Sequence, residues 1–151
     1  MIGQHRRVVT GLNAEGKSCV IIDGPIPANS PRTGFAWRTA ALPADNSGSE
    51  DIPRQDYSFE LLHDGGANFM IAQYPPGPQQ TYWHATDTID YLVVLKGEIA
   101  LELEAGEVRM RAGDFIVDRG VVHSWYNPGS ETAAMAIVTL PAHPVGPGRT
   151  V

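Results

Sequence analysis

Cysteine is nearly missing from this chain: of 151 residues only Cys19 is one. No intrachain disulfide can form, so a core must hold the fold, and a reducing compartment suits it. Cys19 itself, in the apolar run "SCVII", reads as a small buried residue. Lysine is scarce too, with Lys17 and Lys96 alone, and there is no basic run. With a net charge of -6, nucleic acid and anionic membrane are excluded as expected partners. No apolar run approaches the ~20 residues of a membrane-crossing helix. "MIGQHRRVVTG" has no apolar stretch behind its basic residues, so a secretory signal is not expected. The expected setting is the cytoplasm.

Sustained apolar spacing at i, i+3, i+4, i+7 is also missing, so long helices are not expected. What the chain has is punctuation: 16 glycines and 12 prolines cut it into short segments. "RRVVTG" and "KSCVIID" flank "LNAEG" as a hairpin. "GFAWRTA" is a weaker strand candidate. "PADNSGSEDIPRQD", residues 43–56, is polar and reads as a surface loop. From residue 67 strands follow one another: "NFMIAQY", "TIDYLVVL", "EIALELE", "EVRMR", "FIVD", "RGVVHSWYN" and "TAAMAIVTL". In "EIALELE" Ile99, Leu101 and Leu103 alternate with glutamates, as in a half-buried strand. The tail, residues 141–151, reads as an arm or a disordered end. Many short strands at regular spacing predict an all-β, antiparallel barrel or sandwich. The division expected is an N-terminal extension with edge strands and a loop (1–66), a barrel core (67–140) and a tail (141–151), all in one structural domain.

Three polar residues interrupt the apolar ladder: His84, Asp90 and His123. Asp90 shares a strand face with Leu92 and Val94, and the opposite face, Tyr91, Val93 and Leu95, is apolar too. A carboxylate there needs a partner whichever way it points. His84 lies an even offset away, on the same side of an unbroken strand. Phe69, Met70 and Tyr91 are core residues by default. Trp125 falls on the His123 side, while Trp83 falls opposite His84 and packs outside. His5, His63 and His143 are expected to be exposed, and Asp87 to face solvent. Asn127 is expected to cap a turn.

At these residues the sequence resembles the cupin superfamily. With six residues between it and Gly97, Asp90 stands where the first cupin motif has glutamate. Thr86 stands in place of its second histidine and His84 in place of its first, with Gly77 one residue farther upstream than the motif asks. For the second motif, Gly113, Gly120, His123 and Asn127 match. Arg119 stands near the place of the proline, and the glycine spacing is one short. The motifs cover residues 77–127, and the strand pattern extends this to 67–140. The resemblance implies a single antiparallel cupin β-barrel of jelly-roll type with extra N-terminal strands, in a homodimer.

The resemblance also implies a site. Carried over residue by residue, the metal ligands would be His84, Asp90 and His123, with Thr86 in the place of the missing fourth. Two histidines and a carboxylate match the non-haem iron facial triad and also suit zinc with a water. The expected cofactor is thus a divalent metal, iron first, then zinc, manganese or nickel. The chemistry would be that of a dioxygenase, lyase or isomerase on a small aromatic or carboxylated substrate. Thr86, Trp125 and Tyr91 are pocket candidates. One alternative is metal-free acid–base catalysis, epimerase- or isomerase-like, with a histidine as base and Asp90 orienting it. The other is a non-enzymatic module that binds a small ligand. Fold alone does not choose among them.

Overall fold

The computed structural model describes residues 1–77 and 82–151. A short 3-10 turn, Ile2–Gln4, leads into β1 (Arg6–Leu12) and β2 (Ser18–Pro25). These two form the expected hairpin, its turn closed by Asn13 Oδ1, which accepts from the Glu15 and Lys17 amides. β3 (Thr33–Arg38) follows, then the loop, then one helical turn, α1 (Glu60–His63). The rest is strand: β4 (Asn68–Tyr74), β5 (Thr88–Lys96), β6 (Glu98–Leu103), β7 (Gly106–Arg111), β8 (Phe115–Asp118), β9 (His123–Tyr126) and β10 (Ala133–Pro141). All pairings are antiparallel. No helix among the described residues is long and apolar enough to cross a membrane.

Beside the hairpin stand two larger sheets, one ordered β3-β4-β10-β5-β8 and one ordered β7-β6-β9. Their inner faces build one core. Phe35, Met70, Leu92, Val94 and Met135 come from the first sheet, and Ile99, Leu101 and Met110 from the second. The class is the all-β one expected. Gly97, at φ 75°, turns β5 into β6, and a Cβ there would lie 2.9 Å from Ala133 Cα. Only glycine fits so tight a turn.

Strand alternation sends Leu92 and Val94 inward and leaves Tyr91 and Leu95 exposed. Phe69, Phe115 and Val117 are exposed on the same outer face, Phe115 to 84%. Phe69 and Tyr91 are therefore not core residues, and Tyr91 cannot line an interior pocket. The sequence misleads here because this outer face is as apolar as the inner one, so hydropathy gives β5 no direction. Cys19 is half-buried rather than buried. The polar loop is anchored where Arg7, buried on β1, donates to the Ala36 carbonyl and pairs with Asp51. The tail is an ordered arm: the Thr150 amide donates to the Ala85 carbonyl, and the Ala85 amide to Thr150 Oγ1.

Truncating a fully buried side chain leaves a cavity as well as losing transfer energy. Met135→Ala should cost about 3 kcal/mol in urea denaturation. Phe115→Ser, on the exposed face, should cost under about 1 kcal/mol.

Candidate functional site

His84 lies in the segment entering β5, and His123 opens β9. Their backbones form an isolated antiparallel bridge, each amide donating to the other's carbonyl at 3.0 Å. This bridge ties the five-stranded sheet to the three-stranded one. Gly120, at φ 70°, lets the turn before β9 come close: a Cβ there would lie 2.6 Å from the Thr86 carbonyl oxygen. The two imidazoles meet with ring centroids 4.5 Å apart, tilted by 58°.

Each ring is oriented in the same way. His84 Nδ1 is 2.9 Å from the Tyr82 carbonyl and His123 Nδ1 is 2.8 Å from the Val121 carbonyl. A carbonyl only accepts, so Nδ1 carries the proton in both rings. In the neutral ring Nε2 is then the basic nitrogen, and among the described residues no protein group hydrogen-bonds it.

Asp118, which ends β8, was not singled out in the sequence, yet it is the carboxylate against His123. Its Oδ2 lies 2.9 Å from His123 Nδ1, and both side chains are only 3% exposed. The distance is that of an ion pair, but the N–H points at Val121, so Oδ2 receives no directed hydrogen bond. Oδ1 accepts from the Gly120 and Val121 amides at 3.1 and 3.4 Å. The legible signal was a carboxylate within an apolar strand, as at Asp90.

Asp90 points into the interior, directly across the ladder from Asp118. It belongs to a polar row crossing the whole sheet: Arg38 opposite Asn68, Asn68 opposite Thr139, Thr139 opposite Asp90. Arg38 Nε donates to Asn68 Oδ1 at 2.6 Å, and Asn68 Nδ2 to Thr139 Oγ1 at 2.9 Å. Asp90 Oδ1 accepts from Thr88 Oγ1 at 2.7 Å, and Thr86 Oγ1 lies 2.7 Å from Thr88 Oγ1. Thr88 has one hydroxyl proton and gives it to Asp90, so Thr86 donates to Thr88. Thr86, the pocket candidate, is buried in this relay.

Aromatic rings surround the pair. Phe59 lies 4.9 Å from His84, Tyr82 5.3 Å from His84, and Trp125 5.5 Å from His123 in edge contact. Tyr57 packs on Phe59 at 5.8 Å. Trp125 thus flanks the site as expected, and Trp83 is exposed as expected. Tyr57 and Phe59 carried no signal in the sequence, because they follow a polar loop far from the motifs. His63, expected to be exposed, is half-buried and accepts the Asp87 amide at 3.2 Å. Asp87, expected to face solvent, is also half-buried, and its Oδ1 accepts the Arg149 amide at 2.8 Å. Asn127 caps its turn as expected, accepting from Gly129 and donating to the Tyr74 and Glu131 carbonyls.

The electrostatics push the two histidines apart. Burial lowers His84 below the ordinary imidazole value, and His123 adds to this against the Tyr82 carbonyl and Asp118. Burial also works against charging His123, but Asp118, the Val121 carbonyl and Asp90 outweigh it, and the net direction is upward. Burial raises the Asp90 carboxyl to about 6, with Asp118 adding and Thr88 and His123 opposing. Burial, with Asp90 adding to it, pushes the Tyr57 phenol up to about 12.

The implied metal set does not fit. Among the described residues no three His, Cys, Asp or Glu side chains are placed to hold a metal ion. Asp90 Oδ1 and the Thr86 hydroxyl are both engaged within the threonine relay. His84 and His123 come together; Asp90 does not complete a cluster with them.

The chain matches the family described as Cupin domain over residues 70–140. It is 33% identical to Oryzines biosynthesis cluster protein J of Aspergillus oryzae, over 94% of this chain and 86% of that one. It is 34% identical to Phomopsin biosynthesis cluster protein D of Diaporthe leptostromiformis, over 92% of this chain and 79% of that one. It is 29% identical to Cupin-domain-containing oxidoreductase virC of Hypocrea virens, over 92% and 77%.

Asp90 gives a signed test. Its folded value, about 6, lies above the ordinary value of 3.8, so the folded chain holds this proton more tightly. Its contribution to stability is complete below the lower value and is lost as pH rises through the higher one. Asp90→Asn should therefore gain about 2 kcal/mol on the wild type between about pH 4 and about pH 8, read by urea denaturation. In an NMR titration, Asp118→Asn should lower the pKa of His123 and, less so, that of His84.

Proposed function

The chain belongs to the cupin family, and we propose that it is a small enzyme working by metal-free acid–base catalysis on a small organic substrate. The observation that carries this reading is the contact pair His84 and His123, whose proton affinities are displaced in opposite directions. Two titratable groups driven apart by their surroundings divide into a base and an acid. His84, held neutral, takes a proton from a carbon beside a carbonyl through Nε2. His123, whose proton affinity Asp118 raises, gives the Nε2 proton to the carbonyl oxygen. On a substrate with a hydroxyl on that carbon the product is the enediol; loss of the second hydroxyl's proton and return of a proton to the former carbonyl carbon complete an isomerisation between two hydroxy-carbonyl forms.

This sequence balances without an outside oxidant, since one carbon loses the electrons another gains. Relatives named as cupin-domain-containing oxidoreductases favour an enzymatic role, though the reaction in that name is theirs. The aromatic rings beside the histidines favour a substrate with an apolar or aromatic body.

A second reading has one feature in its favour. Both rings anchor Nδ1–H on a carbonyl and leave Nε2 for a ligand, as metal-binding histidines do. A divalent ion there would polarise the same carbonyl.

The two readings separate in one assay. The probe is uptake of solvent deuterium by a panel of small aromatic ketones and aldehydes, followed by NMR on chelated protein. Exchange should survive chelation, and His84→Gln or His123→Gln should each slow it about 10²- to 10⁴-fold. Exchange abolished by chelator and restored by one divalent ion would establish the second reading instead.

A further inference from the structure

A carboxylate that points into the interior needs compensation, and the chain gives the half-buried Asp90 little. Among the described residues no lysine, arginine or histidine forms an ion pair with it, while Asp118 stands against His123. The arginine in its own polar row, Arg38, is taken by Asn68 and the Leu61 carbonyl. Asp90 has one donor, the Thr88 hydroxyl on Oδ1, and its neighbour across the ladder is another carboxylate. Like charges directly opposite on adjacent strands destabilise the pair. Asp118 Oδ2, almost fully buried, also lacks a directed hydrogen bond.

We infer that the ligand of this site carries a cationic nitrogen, an ammonium or protonated amine on an apolar or aromatic body, and that Asp90 receives it. The chemistry of the walls agrees. Phe59 lies against His84 with Tyr57 packed on it, and aromatic rings attract organic cations. A carboxylated ligand would bring a third negative charge between Asp90 and Asp118, and a neutral alcohol would leave Asp90 without a counter-charge. Asp90 thus recognises the ligand, while His84 and His123 face the reacting atoms. The inference rests on the histidine pair being the ligand site, but not on which reaction occurs there.

The test is calorimetric binding of three probes of one size, benzylamine, benzyl alcohol and benzoate, at neutral pH. Benzylamine should bind at least about tenfold more tightly than benzyl alcohol, with benzoate weakest, and added salt should weaken only the amine. Asp90→Asn, whose fold is checked by thermal melting, should reduce benzylamine to the level of the alcohol. Asp87→Asn, altering a half-buried carboxylate outside the polar row, should leave the order intact. Equal or tighter binding of alcohol or benzoate to the wild type overturns the inference without needing any variant. So does a benzylamine preference that persists in Asp90→Asn, or undetectable benzylamine binding. Stoichiometric binding of manganese or zinc that requires Asp90 and blocks the amine also overturns it, by giving the carboxylate a metal partner. None of these readouts requires turnover, so failure of the acid–base reading appears separately, in the exchange assay.

Discussion

The costliest arrangement in this fold is the placement of Asp90 and Asp118 opposite each other on neighbouring strands, both pointing inward. Much of the polar structure around the site can be understood as answering that cost. Asp118 takes two backbone amides on one oxygen and the edge of an imidazole on the other. Asp90 takes a threonine hydroxyl that is itself backed by a second threonine. Farther along the row Thr139, Asn68 and Arg38 extend the polar line to β3. Buried polar groups are tolerated when they are hydrogen-bonded, and this row is satisfied except near the two carboxylates, where the histidines also gather.

The same cost gives the site its chemistry. Desolvation alone would lower both imidazoles. One carboxylate set against one ring breaks that equality, so two identical side chains in contact differ in proton affinity. The backbone bridge holds the rings together, and the carbonyls at Tyr82 and Val121 fix which nitrogen of each is basic. The site depends on the strand ladders because each side chain is aimed by its register. It also depends on the segment before β4, which brings Phe59 against His84 with Tyr57 packed behind it.

Much of the fold was legible in the sequence. The hairpin, the late strands and the glycine turns follow from alternation and punctuation, which are local properties of the chain. His84, Asp90 and His123 were visible as polar residues in apolar strands. Asp118 was visible on the same grounds but was passed over. The direction of β5 was not legible, because Tyr91 and Leu95 are as apolar as Leu92 and Val94. Nor was the grouping of the polar residues: the metal set implied by the resemblance brings two of its three members together and leaves the third with Thr88.

The sequence by itself determined the strands, their turns and the family to which the chain belongs, since each rests on neighbours in sequence or on motif residues at set spacings. The tertiary structure alone decided that Asp118 rather than Asp90 attends His123, and that Thr86 turns to Thr88. It also decided that Phe59 packs against His84 and that, among the described residues, no cationic side chain forms an ion pair with Asp90. These are matters of register between strands distant in sequence. A one-residue change in pairing would send a different set of side chains inward, and nothing local to Asp90 records which strand lies beside it.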